Sequence, residues 1–144
     1  MLIVFMSYRP GLYLSLLIMV IHGFALGLDW YGSIPTFDVY MHFSGGLAMG
    51  LIALALRASG SRTLRGSTPW WMSAIFVIGF VALIGVLWEF HEFVLDLLSK
   101  DLKAAHAQAS LGDTMADLFF DLLGGTVAVV GAPVFSRFFG RQSR

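Results

Sequence analysis

The chain has 144 residues, of which 58% are hydrophobic and 12% charged, and its mean hydropathy is +0.80. A water-soluble domain carries about a quarter charged residues, so this composition excludes that class. Nine basic and nine acidic residues cancel, which removes the positive footprint of a nucleic-acid binder, and the lack of cysteine excludes disulfides, thiolate nucleophiles and thiolate-held zinc.

A bilayer core about 30 Å thick takes about 20 apolar residues of helix to cross. Four runs of that kind predict an all-α, four-span membrane bundle forming one unit over residues 1–144: Leu12 to Leu28, Val39 to Leu56, Trp70 to Leu98, and Met115 to Phe135. The first run is also read as a cleavable signal peptide with Ala25 and Gly27 near its cleavage site, but it exceeds a usual apolar signal core of about 7–15 residues. Between the runs lie turn-forming stretches at Asp29 to Pro35, Ala58 to Pro69 and Ser99 to Gly112. Thr68 before Pro69 reads as a cap with proline at the first helical position, and Ser110 to Asp113 has capping-box spacing.

Lys and Arg counts in short connections orient such a bundle. Arg9, Arg57, Arg62, Arg65, Arg137, Arg141 and Arg144 fall on one side, and Lys100 and Lys103 on the other. Both termini are therefore expected in the cytoplasm. Trp70 and Trp71 are then expected at the inner interface, Trp30 and Tyr31 at the outer one. Arg137 and Arg141, beside the Phe-rich tail, would reach for headgroups. Membrane lipids are the expected neighbours. Gly23 to Gly27 and Gly46 to Gly50 show small-xxx-small spacing, which serves a homo-oligomer or packing within one chain equally.

Most of the acids fall where they are expensive. Asp38, Glu89, Glu92, Asp96, Asp113, Asp117 and Asp121 lie in or at the ends of the last three predicted spans, all towards the outer side. A carboxylate costs about 2.5–3.5 kcal/mol at mid-bilayer and less near the interface. Glu89, Glu92 and Asp96 occupy an arc of about 60° on their helix, continued by Gly85, and Asp113, Asp117 and Asp121 drift through about 80° towards Gly124. Asp38 and His42 share a face of the second span, followed by Gly45 and Gly46. Glycine permits close helix contact in lipid, so the three acidic stripes are expected to face one another. With no Lys or Arg inside these spans, the charges call for protonation, water or a bound metal. Oxygen ligands with one imidazole suit Mg, Mn, Ca or Fe, with Zn less favoured.

Plainer roles compete for several of these residues. Asp38 and Asp113 serve equally well as partners of a helix N-terminal dipole, and Asp96 reads as solvated. His91 points about 200° away from Glu89. His22 is expected either to bond backbone or to reach the site, and His106 to sit in a polar loop. HExxH, GxSxG and P-loop signatures are missing, and the Glu-x-x-His pair of di-iron bundles is replaced by WEFHE at residues 88–92.

The segments FDVYMHFSGG, VLWEFHEFVLD and LGDTMADLFFDLLGG together resemble the YjdF-type family of bacterial inner-membrane proteins, over roughly Phe37 to Gly125. The resemblance implies that His42 matches the histidine preceding small residues in the second span, Glu89 and Glu92 the acidic pair of the third, and Asp113, Thr114 and Asp117 the DT-x-x-D opening of the fourth. The family supplies positions and no reaction. The leading expectation is an outer-leaflet site that holds a divalent metal through His42, Glu89, Glu92, Asp113 and Asp117. As an enzyme it would act on a lipid-type substrate, with Asp121 or Asp96 as general base. A proton- or cation-coupled transporter component is the second reading, although the inner halves of the spans offer no acid for a through route. A scaffold with a hydrated polar cluster is the third.

Overall fold

The computed structural model describes residues 8–59, 69–99 and 110–139. Five helices follow in order: α1 (Arg9–Gly27), α2 (Trp30–Ser33), α3 (Phe37–Ser59), α4 (Trp70–Ser99) and α5 (Leu111–Phe139). The protein is all-helical, and α1, α3, α4 and α5 are each long and apolar enough to cross a membrane. α3 and α5 run past the corresponding apolar runs at both ends, because polar or interfacial residues there stay helical without being apolar. By contrast, α1 begins earlier, at Arg9, and stops one residue short of Leu28, and α4 matches its run to within one residue. Large side chains such as Leu16, Phe90, Leu111 and Val130 are exposed, as expected where lipid replaces water as the outer solvent.

α3 is the hub. Its packing against α5 is the most extensive in the molecule, and it also contacts α1 and α4. Lipid tails are as apolar as a leucine side chain, so close van der Waals fit must hold these helices together. The fit comes from missing side chains. A Cβ built on Gly46 would run into the backbone carbonyl of Asp121, one on Gly124 into the carbonyl of Phe43, and one on Gly50 would lie 2.6 Å from the Ala128 Cβ. Ala128, Leu51 and Ala55 form the small core between the two helices. The Gly46 to Gly50 spacing therefore serves packing within the chain. Gly23 and Gly27, with the same spacing, have nothing within 4 Å.

The Asp29 to Pro35 stretch, expected to be connection alone, holds the extra helix α2. Asp29 and Thr36 bracket it with φ of 54° and 64°, left-handed values that non-glycine residues rarely adopt. The Asp29 backbone carbonyl accepts from Ser33 N–H at 3.0 Å and from the Ser33 hydroxyl at 2.6 Å, closing the turn. The expected cap at Ser110 forms: its Oγ accepts from Asp113 N–H at 3.1 Å, so α5 starts at Leu111 rather than near Met115. Thr68, Arg62, Arg65, Lys100, Lys103, His106, Arg141 and Arg144 lie outside the described residues, and Arg137 is described in its backbone only.

Candidate metal centre

The start of α3, the end of α4 and the start of α5 meet at one end of the bundle, and the acids gather there. Helical spacing puts Asp38 and His42 one turn apart on α3, Glu89 and Glu92 on one face of α4, and Asp117 and Asp121 on one face of α5. The glycine contact of α3 with α5 then aims these faces at each other. His42, Glu89, Glu92, Asp117 and Asp121 are all buried.

His42 is the centre of the cluster. Its Nδ1 lies 3.4 Å from Asp121 Oδ2, and its Nε2 lies 3.5 Å from Asp38 Oδ1 and 3.9 Å from Asp117 Oδ1. When Nδ1 carries the proton and donates it to Asp121, Nε2 presents its lone pair towards Asp38 and Asp117. A carboxylate behind a ligating imidazole, fixing tautomer and ring plane, is the usual second layer of a histidine metal site. Asp121 reaches this position because Gly85 leaves room: a Cβ there would sit 2.5 Å from Asp121 Oδ2.

Two sets of ligand atoms lie close enough to share an ion: Asp38, His42 and Asp117, with atoms within 4.8 Å of one another, and His42, Glu89 and Glu92 on the same criterion. Glu92 Oε1 accepts from the Trp88 indole N–H at 2.8 Å. Among the described residues, both carboxylate oxygens of Glu89 are buried with no hydrogen-bond partner. An orphaned buried carboxylate is costly, since burial removes its water and nothing replaces it. A cation between Glu89, Glu92 and His42 would offset that cost directly.

Of the five residues expected to bind metal, His42, Glu89, Glu92 and Asp117 fall in these two sets. Asp113 does not: it lies one turn before Asp117, half-buried, in the first turn that Ser110 caps. Asp38, read evenly as a cap or a ligand, joins the first set. Asp121, expected as a general base, is the partner of His42. Sequence spacing placed it on the right face of α5 but carried no sign of which imidazole nitrogen it would meet.

Three outlying groups resolve differently. His91 is exposed and lies against the Trp88 ring with centroids 5.1 Å apart, away from the cluster as its angle on α4 required. Among the described residues His22 bonds neither backbone nor the acids; its Nδ1 is 2.7 Å from the Tyr31 hydroxyl, and its ring meets Trp88 edge-on at 5.4 Å. Tyr31, expected at the outer interface, is turned inward by α2. Burial raises the pKa of its phenol, and the Asp38 and Glu92 carboxylates raise it further. Tyr31 therefore remains protonated, able to donate beside the acids.

The comparisons with known proteins show the family of the chain. An uncharacterised protein of Thermotoga maritima is 34% identical over 97 residues, which are 67% of this chain and 47% of that protein. The chain thus aligns with about half the length of this relative. No solved structure matches the chain. The family model described as predicted membrane protein DUF2238 matches residues 6–137, covering α1 as well as the Phe37 to Gly125 region that carried the resemblance. The chain belongs to the DUF2238 family of membrane proteins.

Proposed function

We propose that this protein binds a divalent cation at the acid-bearing end of its bundle and uses it on a lipid-type substrate within the membrane. His42 through Nε2, with Glu89, Glu92, Asp117 and Asp38, supplies the ligands, and Asp121 orients the imidazole. The observation that carries the reading is Glu89, whose two oxygens are buried without a partner among the described residues, within the shared-ion distance of His42 and Glu92. Burying such a charge without compensation is the expensive alternative. Hard oxygen donors with a single imidazole favour Mg, Mn, Ca or Fe, with Zn last. Bound there, the ion would polarise an ester or activate water.

The excess of Arg at the opposite end supports a topology with both termini in the cytoplasm and the site in the outer leaflet. The resemblance to YjdF-type proteins supports the bacterial inner membrane. Elemental analysis of detergent-purified protein tests the reading. A stoichiometric divalent metal is expected in the wild type and none in a His42→Ala/Glu89→Gln double variant. Metal absent from both rejects the centre, and cation or proton flux in proteoliposomes would then favour the transporter reading over a scaffold.

A further inference from the structure

A cavity of about 130 Å³ runs between α1, α3 and α4 and ends on the acid cluster. Ile18 and Met19 of α1, Met49 of α3 and Val81 and Ile84 of α4 form its apolar wall, and Asp38, His42 and Asp121 its polar end. It runs along α1 from Ser15 to His22, on the order of 10 Å at 1.5 Å per residue. Its volume is close to the roughly 150 Å³ of an apolar cavity that takes a benzene-sized guest.

The shape follows from how α1 leans on α3. At Gly11 the two helices nearly touch: a Cβ there would be 2.6 Å from Ile52 Cγ1 and 3.0 Å from the Ala48 carbonyl. That contact closes the cavity away from the acids. Nearer the acids, α1 and α4 meet only sparsely, and Met19 lines the cavity while being itself 52% exposed. The opening therefore lies on the lipid-facing side of the bundle. His22, Tyr31 and Trp88 stand around the polar end.

Charge restricts what can enter. Within α3 before Arg57, and within α4 and α5 before Arg137, there is no Lys or Arg. Five carboxylates, from Asp38, Glu89, Glu92, Asp117 and Asp121, surround His42. Ionised, they exceed the charge of one divalent ion and even of two, so an anionic head would meet net negative charge at short range in a poorly screened site. A hydroxyl or ester carbonyl would meet no such penalty, and could bond with Tyr31, His22 or the ion.

We propose that this cleft takes one hydrocarbon chain of a membrane lipid with an uncharged, hydroxyl- or ester-bearing head, and delivers that head to the His42 cluster. The proposal names the substrate class of the site described above, but the chain slot itself depends on the walls and not on the metal. Its test uses purified protein in detergent in which Trp30, Trp70 and Trp71 are replaced by Phe, leaving Trp88 as the reporter within the cleft. The probes are a monoacylglycerol with a dibrominated chain and a lysophosphatidic acid with the same chain, which adds only a phosphate. Saturable quenching of Trp88 by the first is expected, at least about tenfold tighter than by the second, a difference of about 1.4 kcal/mol. Ile18→Phe, on the α1 wall and outside both ligand sets, is expected to weaken the first by about tenfold or more while leaving bound metal unchanged. Quenching that does not saturate, that is equal in Ile18→Phe, or that is as strong with the phosphate probe overturns the proposal. Saturable, head-selective quenching in protein that holds no metal would reject the metal centre and leave the slot standing.

Discussion

The two sides of α3 are built on opposite principles. Towards α5, side chains are removed until backbones touch, at Gly46, Gly50 and Gly124. Towards α1, close contact is kept at Gly11 and again at the fully buried Ala25, and between them the helices part around a cavity lined from Ser15 to His22. The tight side registers α3 against α5 and so fixes where His42 stands relative to Asp117 and Asp121. The loose side leaves a cavity between that same histidine and the exposed Met19 of α1. Under the proposed function, the difference makes a small bundle rigid at its ligands and open to a guest.

Breaking the tight side should have the largest effect. Gly46→Ala places a methyl group against the Asp121 backbone, and overpacking of this kind costs about 1–3 kcal/mol; thermal unfolding in detergent should show the loss together with loss of bound metal. Gly23→Ala, with nothing within 4 Å, should be neutral or slightly stabilising, by about 0.5–1 kcal/mol from helix propensity. A destabilised Gly23→Ala, or an unaffected Gly46→Ala, would erase the contrast.

Glu89→Gln sharpens it by a change of sign. In chelator the substitution should stabilise the protein, because an amide is less costly to bury without a partner than a carboxylate; in the presence of manganese it should destabilise relative to wild type, because a ligand is lost. Asp121→Asn should act through His42 alone and lower metal affinity about 10–100-fold, the usual effect of losing such a partner, read by titration of manganese into stripped protein. Lowering the pH should weaken metal binding as well, since protons compete for the same carboxylates and imidazole. A modest change belongs to the loose side: Tyr31→Phe removes one hydrogen bond to His22, worth about 1 kcal/mol, and should leave metal content intact.

Much of this was legible in the order of residues. Apolar length alone separates the four long helices, and the i, i+3, i+4 spacings of Glu89, Glu92, Asp117 and Asp121 identify their faces. Ser110 declares the start of α5 by its distance from Asp113. What spacing cannot encode is register between helices. Asp38 and Asp113 both open a helix, yet only Asp38 falls in a shared ligand set, because the offset of α3 against α5 is decided by glycine contacts between segments far apart in the chain, such as Gly46 with Asp121 and Gly124 with Phe43. The partnership of Asp121 with His42 is hidden for the same reason. The inward turn of Tyr31 depends on left-handed backbone at Asp29 and Thr36, residues whose side chains do not announce that conformation as glycine would.

The most direct test titrates manganese into chelator-stripped wild-type protein and follows its unfolding temperature. Ligand that binds only the folded state stabilises by about 2.7 kcal/mol at one hundred times its dissociation constant. The wild type should gain that stability in a saturable rise, and the His42→Ala/Glu89→Gln double variant should not respond. A flat response in the wild type, or an equal rise in both, would contradict a cation held by His42 and Glu89.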